Sequence, residues 1–139
     1  MRQAAGLLSV NTRGRGLVEF TGPVGEWVRG QGMQTGLLTL FCRHTSASLL
    51  IQENADPDVQ RDLETFFETL APEDSGRYIH DAEGPDDMPA HIRTALTQTH
   101  LSIPLIDRRL MLGTWQGIYL FEHRREGSGR QVAMHLLGD

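Results

Sequence analysis

The stretch QTGLLTLFCRHTSASLLIQENADPDVQRDLETFFETL, residues 34–70, decides the fold that we predict for this chain of 139 residues. Its apolar runs QTGLLTLFCRH (34–44) and ASLLIQE (47–53) predict two strands. Side chains alternate along a strand, so one face of the first carries Leu38, Leu40, Cys42 and His44. Asp56 is a favoured N-cap and Pro57 fits a first helical turn. A helix follows, and its apolar stripe is predicted to comprise Val59, Leu63, Phe66, Phe67 and Leu70.

Strands predominate on both sides of this stretch. Before it, the runs 7–10 and 17–20 predict two strands, and 23–29 predicts a short helix. After it, an acidic loop over 73–87 leads to a second clear helix. We expect Asp86 or Asp87 to cap this helix, and its inward-facing residues to be Met88, Ile92 and Leu96. The remainder predicts strands in LSIPLI, RLML, GIYLFEHRR and RQVAMHLL, the last two joined by a hairpin turn, EGSG.

This pattern predicts one α+β domain over residues 1–139, with a mostly antiparallel, sandwich-like sheet and two to three helices. The net charge is −5 and the basic residues are scattered, so we expect no nucleic-acid partner. No apolar run is long enough to span a membrane as a helix. The single cysteine, Cys42, suits a reducing cytoplasm. The sequence has no lysine, which excludes Schiff-base chemistry and a lysine-bearing phosphate loop.

Three histidines lie in neighbourhoods that suit a divalent metal ion. His44 ends a predicted strand, His80 lies in the acidic loop, and His91 lies in the first turn of the next helix. Neutral imidazoles with nearby acids are common metal ligands, and three of them leave a position open for water or substrate. The alternative is that His44 and His91 only form hydrogen bonds. Cys42 lies on the strand face of His44, although a small buried filler fits it better.

Other polar residues are candidates for binding substrate or for acid–base chemistry. Glu53 follows a strand and could act as a general base, with Asn54 beside it to orient a substrate. Trp115 offers a stacking plane and Gln116 a paired donor and acceptor, although a simple turn would explain both. The remaining candidates for contacts to substrate are Thr45, Ser46, Ser48 and Arg93. An arginine suits a phosphate group.

Three long blocks of sequence resemble the YjbQ family, also called the secondary thiamine-phosphate synthase family. They are HTSASLLIQENADPDVQRDLETFF (44–67), YIHDAEGPDDMPAHIRTAL (78–96) and IPLIDRRLMLGTWQGIYLFEHRR (103–125). The resemblance implies a compact α+β fold, a homotrimer, and a site for a divalent metal, zinc above all, at His44, His80 and His91. It also implies a reaction in which a thiazole phosphate displaces pyrophosphate from a pyrimidine pyrophosphate. One departure is an arginine, Arg108, where the family has a glycine.

These observations favour a metal-dependent enzyme that acts on a small phosphorylated metabolite, with Glu53 as acid or base. A metal-assisted hydrolase would use the same site. Two other functions stay open. One is a non-catalytic module that binds a metal or a phosphorylated metabolite, which would need no acid–base residue. The other is a purely structural protein, in which the histidines only form hydrogen bonds.

Overall fold

The alternating apolar runs of the sequence form the strands of two antiparallel sheets. The structure is a computed structural model that describes residues 1–74 and 76–139. Its elements, in chain order, are β1 (Arg2–Asn11), β2 (Gly16–Glu19), α1 (Thr21–Gly30), β3 (Gly36–Cys42), β4 (Ala47–Glu53), α2 (Pro57–Leu70), α3 (Asp87–Leu96), β5 (His100–Ile106), β6 (Arg109–Leu110), β7 (Gln116–Glu122) and β8 (Gly129–Gly138). The predicted α+β class, with mostly antiparallel strands, is confirmed.

The larger sheet has five strands in the order β1-β8-β3-β5-β6, and the smaller has three in the order β2-β7-β4. Apolar residues from both sheets meet in one hydrophobic core, as in a sandwich. The face predicted for β3 is correct, because Leu38, Leu40 and Cys42 are all buried there. The thiol of Cys42 lies 3.5 Å from the carbonyl oxygen of Ala47, and burial raises its pKa.

Strand β7 is buried on both faces. Ile118 and Leu120 belong to the core between the sheets. On the opposite face, the Phe121 ring meets Phe67 of α2 edge to face, with ring centroids 5.5 Å apart. A strand buried on both sides is expected to be a nearly continuous apolar run, and GIYLF is one.

The apolar stripe predicted for α2 is only partly buried. Asp56 caps the helix as predicted, accepting a hydrogen bond from the backbone N–H of Asp58. Phe67 is buried, but Phe66 and Leu70 are exposed. The prediction for those two residues is therefore wrong, because α2 covers only the outer face of the smaller sheet and has no second layer to bury them.

The inward face of α3 combines polar side chains with small apolar ones. Its buried residues are Asp87, Pro89, Ala90, Arg93 and Thr94. Leu96, predicted to face inward, is exposed. The helix packs over charged groups, among them Glu64 of α2, which receives a 2.8 Å hydrogen bond from Arg93. Asp86 stands at the N-cap position, but its side chain makes no capping hydrogen bond.

Two connections differ from the simplest expectation. The predicted hairpin between β7 and β8 is wrong, because β8 pairs with β1 and β3 while β7 pairs with β2 and β4. The segment 123–128 therefore crosses between the sheets. A true two-residue hairpin joins β5 to β6, and its central residues, Asp107 and Arg108, both have positive φ, at 50° and 66°.

Among the described residues, no helix combines the length and apolar character needed to cross a membrane.

Candidate metal centre

Two of the predicted ligands lie together with a carboxylate at the start of α3. Ligand atoms of His80, Asp87 and His91 all lie within 4.8 Å of one another. The Nε2 atoms of His80 and His91 are 2.7 and 3.0 Å from the same atom, Oδ2 of Asp87. Nitrogen and carboxylate oxygen donors in this number suit an open zinc site, in which three protein ligands leave a position for water or substrate.

The helix itself sets two of the three groups side by side. Asp87 and His91 are four residues apart in α3, so they lie on one face of the helix. His91 is held from its other side as well, because its Nδ1 lies 2.8 Å from the carbonyl oxygen of Thr45, just before β4. His80 approaches from the acidic loop. The cluster therefore joins a helix start, a strand start and a loop.

Asp87 is the central group of the cluster, and only 2% of its side chain is exposed. Its Oδ1 accepts a 2.6 Å hydrogen bond from Arg124. Burial alone would raise the pKa of this carboxyl, but the hydrogen bond from His80 and the charges of His91 and Arg124 lower it below the ordinary value. Asp87 is consequently a carboxylate.

A cavity of about 530 Å³ adjoins the cluster through Arg124. Its wall includes Ser46, Ser128 and Arg130, and Arg124 reaches from it to Asp87. Arg130 also donates to Ser46 Oγ at 3.0 Å. The wall carries three guanidinium groups, of Arg124, Arg125 and Arg130, and the hydroxyls of Ser46 and Ser128, which are donors that suit a phosphate group. It also carries two carboxylates, of Asp86 and Glu126.

Carboxylates hold the arginines of this cavity in place. Glu122 is fully buried and accepts hydrogen bonds from Arg130 Nε at 2.8 Å and from Thr12 Oγ1 at 2.7 Å. Burial opposes its ionisation, yet these hydrogen bonds lower the pKa of Glu122. Arg124 is held in the same way by Asp86, at 3.0 Å. The guanidinium groups are therefore pre-positioned.

His44, the third predicted ligand, lies outside the cluster. Its Nε2 accepts a 2.8 Å hydrogen bond from the backbone N–H of Gln131. Burial, followed by the charge of Arg130, lowers the pKa of His44, in keeping with a neutral ring. In a neutral ring whose Nε2 accepts, Nδ1 carries the hydrogen, so neither nitrogen has a free lone pair. Among the described residues, the third potential ligand grouped with His80 and His91 is Asp87.

The candidates Glu53, Asn54, Trp115 and Gln116 lie at the opposite end of β4 from the cluster. Glu53, the last residue of β4, pairs with Gln116 of β7. Ala47, the first residue of β4, comes two residues after Thr45, whose carbonyl oxygen contacts His91. Seven residues of strand separate the two ends by about 20 Å. Glu53 Oε2 accepts the backbone N–H groups of Ala55 and Asp56, at 3.1 and 2.9 Å. Within one chain, these residues do not reach the cluster of His80, Asp87 and His91.

Two further candidates for substrate contacts are buried and bonded internally. Ser48 is fully buried, with its hydroxyl 2.8 Å from Nε2 of His123. Arg93 is also buried and pairs with Glu64 at 2.8 Å. Neither side chain lines the described cavity next to Arg124. Thr45 and Ser46, by contrast, lie at the cluster and at its adjoining cavity.

The residues of this site that the sequence did not single out include Asp87 and Arg124, together with Ser128 and Arg130 of the adjoining cavity. The sequence pattern indicates Asp87 only as a helix cap. The spacing Asp87–His91 is a usable signal, since residues four apart share a helix face. Nothing local marks Arg124, which reaches the cluster from a different part of the chain.

Fold and site together define an α+β sandwich protein with a His–Asp–His cluster beside an arginine-rich cavity. The sequence matches the family described as UPF0047 protein YjbQ-like over residues 7–139. It is 53% identical over 138 residues to a UPF0047 protein of Synechocystis sp., covering 99% of this chain and 94% of that one. It is 44% identical over 134 residues to the UPF0047 protein YjbQ of Escherichia coli O157:H7, covering 95% and 94% of the two chains.

Solved structures share the fold. A hypothetical protein of Aeropyrum pernix K1 is 29% identical with a TM-score of 0.88, over 98% of this chain and 99% of that one. A protein of the yjbq/upf0047 family from Clostridium acetobutylicum is 34% identical with a TM-score of 0.86, over 94% and 98%. The chain belongs to the YjbQ family.

Proposed function

We propose that this chain is a divalent-metal-dependent enzyme that acts on a small phosphorylated metabolite. His80, Asp87 and His91 would hold the ion, and the cavity next to Arg124 would hold the phosphate group. Zinc is the ion that we propose, because the donors are two imidazoles and one carboxylate. We also propose a cytoplasmic location, with which the buried, unpaired Cys42 is compatible.

The orientation of the His91 ring is the observation that carries this proposal. A carbonyl oxygen can only accept, so Nδ1 of His91 must donate its hydrogen to Thr45 O. When the ring is neutral, Nε2 has a lone pair that faces a carboxylate oxygen of Asp87 at 3.0 Å; when the ring is protonated, Nε2 donates to that oxygen. Two acceptors at this distance repel each other unless a proton or a cation lies between them. The Thr45 carbonyl thus serves as the outer partner that a metal-binding histidine usually has.

A bound divalent ion would supply a Lewis acid for a phosphate oxygen or an activated water. The chain's own residues supply the rest. Arg124 and Arg130 would neutralise charge on the phosphate group, while Ser46 and Ser128 would orient it by hydrogen bonds. Their carboxylate partners fix both arginines before substrate arrives, which reduces the cost of ordering them.

The reaction to test first is the one that the family resemblance implies. A thiazole phosphate would displace pyrophosphate from a pyrimidine pyrophosphate, and the arginines would stabilise the departing pyrophosphate. Our proposal assigns no acid–base role to Glu53, because it lies at the far end of β4. We expect Glu53→Ala to retain activity. Loss of activity in Glu53→Ala, with folding intact, would instead support a site completed by a neighbouring subunit.

The metal content of the protein tests the proposal directly. We expect untagged protein, purified without chelators, to hold about one ion per chain. His80→Ala, Asp87→Asn and His91→Ala should each lose it, since each removes one ligand. His100→Ala, which removes an exposed imidazole that is not one of the three proposed ligands, is the control and should retain it. His44→Ala discriminates between the two ligand sets, and we expect it to retain the ion too.

Two outcomes would contradict the proposal. One is protein that holds little metal and takes up none when zinc is added. The other is equal metal loss in His100→Ala. A full complement of metal with no turnover on phosphorylated metabolites would favour the non-catalytic binding module.

We further propose that the protein is a homotrimer, as the resemblance implies. The outer face of the larger sheet supports self-association. It exposes four large apolar side chains on neighbouring strands: Leu7, Leu37, Phe41 and Leu137. Leu37 pairs directly with Leu137, while Phe41 is opposite Ala133, which is opposite Leu7. The row of Thr39, His135 and Ala5 lies between these two apolar rows. Exposed apolar side chains grouped on one face are typical of an interface between proteins.

A further inference from the structure

A second cavity, of about 620 Å³, lies between helix α1 and the β5–β6 hairpin. It is far from the metal cluster. The cluster lies next to the start of β4, which is close to the end of β3. At that end of β3, Phe41 pairs with His100, the first residue of β5. The hairpin lies at the opposite end of β5. Six residue steps along β5 correspond to about 20 Å. Neither the proposed metal site nor its phosphate cavity uses any residue of this second cavity.

Three arginines line this cavity: Arg29, Arg108 and Arg109. Among the residues that the structure describes, none of their guanidinium groups has a hydrogen-bond or ion-pair partner. Most arginines of the chain do have a carboxylate partner, namely Arg15, Arg61, Arg77, Arg93, Arg124, Arg125 and Arg130. The chain as a whole carries a net charge of −5. Three free guanidinium groups at one cavity are therefore a local excess of positive charge, opposed in its wall only by Asp107.

The backbone holds these arginines at the cavity from two sides. A Cβ placed on Gly25 would lie 3.2 Å from Nη1 of Arg29, so this guanidinium lies against the backbone of α1. Arg108 is the second central residue of the two-residue hairpin, where a positive φ normally favours glycine or asparagine. Arg109 follows it at the start of β6, paired with Ile106. A short, paired hairpin restricts where Arg108 and Arg109 can point.

The rest of the wall is apolar or small. Val28, Leu110 and Leu112 contribute hydrocarbon surface, and Gly22 and Gly25 leave space beside it. Cavities that combine an apolar wall with a few convergent charged groups are typical of sites for small molecules. Guanidinium groups recognise phosphate oxygens with paired hydrogen bonds.

We infer that this cavity is a second binding site, which binds a small phosphomonoester. Arg29, Arg108 and Arg109 bind the phosphate group, and Val28 and Leu112 contact the apolar body of the ligand. The site does not depend on the metal centre. A ligand bound there would stay bound in protein without metal.

Calorimetric titration with phenyl phosphate and with inorganic phosphate tests this site. The protein is titrated with chelator present, so that the metal centre is empty. We expect phenyl phosphate to bind at least about fivefold more tightly than inorganic phosphate, because only its ring can use the apolar wall. We expect Arg29→Gln, Arg108→Gly and Arg109→Gln each to weaken binding about tenfold or more, since each loses a charge-assisted hydrogen bond. Arg108→Gly keeps the hairpin, because glycine adopts its φ readily.

Two control variants test whether the phosphate compounds bind at this cavity rather than elsewhere on the protein. Arg13→Gln removes an exposed arginine away from the cavity and should bind as the wild type does. His91→Ala disables the proposed metal centre and should also bind normally. Equal weakening in Arg13→Gln, or loss in His91→Ala, would overturn the assignment to this cavity. Equal affinity for the two probes would overturn the apolar part, and no binding at millimolar concentration would overturn the site.

Discussion

His123 follows β7, and its imidazole is fully buried. Nε2 lies 2.8 Å from Ser48 Oγ, while Nδ1 is buried without a partner among the described residues. Burial, reinforced by the charges of Arg93, Arg130 and Arg15, lowers the pKa of His123 to about 3. The folded protein therefore keeps this ring neutral at any pH at which metal binding would be studied.

The low pKa of His123 predicts a loss of stability in acid. Below the unfolded-state pKa of about 6.5, the unfolded chain binds a proton that the folded chain does not. The free energy of unfolding therefore falls as the pH decreases from about 6.5 towards 3. In urea titrations, we expect the wild type to lose about 1 kcal/mol more than His123→Gln between pH 6.0 and 5.0. Equal losses in the two proteins would contradict a neutral, buried His123.

Helix α2 shows how one helix can carry both a buried and an exposed phenylalanine. Phe67 packs edge to face on Phe121 of β7, whereas its neighbour Phe66 is 57% exposed. Because a large cavity forms only where the surroundings are packed, Phe67→Ala should lower the free energy of unfolding by about 3 kcal/mol. Phe66→Ala, the matched control, should lower it by less than about 1 kcal/mol. Urea unfolding at neutral pH measures both, and similar losses would contradict this packing.

Strands and helix ends were predictable at the scale of single elements. Strand β4 begins and ends at the predicted residues, and Asp56 caps α2 as expected. Which residues of α2 and α3 are buried was not predictable. Helical periodicity indicates which residues share a face, but it does not indicate what covers that face. Leu96 is exposed for this reason, while Arg93 on the same helix is buried against Glu64.

The candidate site was predictable only in part, for a related reason. His80 and His91 stood out by residue type and acidic surroundings. Asp87 was hidden by its second role at a helix start, and Arg124 comes from a segment that crosses between sheets. A long loop and a crossing connection have no periodicity, so their contacts follow from the tertiary fold alone. His44 looked equivalent to the other two histidines, but a backbone hydrogen bond with Gln131 occupies its Nε2.

At the scale of the whole molecule, the outer face of the larger sheet is where we expect chains to associate. A chain of 15.5 kDa that forms trimers has a mass of about 47 kDa, three times the chain mass. We expect light scattering to give this mass for the wild type. Phe41→Glu should shift it towards the monomer, because a buried charge opposes association. Phe66→Glu, on the opposite side of the smaller sheet, is the control, and monomeric wild-type protein would contradict the trimer.

Because Cys42 is buried, its reaction with a thiol reagent reports transient opening of the folded protein. The only thiol of the chain lies in the core, 2% exposed, and burial keeps it in the unreactive protonated form. A thiol reagent can therefore modify the protein only while the two sheets are transiently separated. The rate of thiol labelling in native buffer therefore measures how often the two sheets separate. Each chain has one thiol to label, so the measurement needs no introduced dye or mutation.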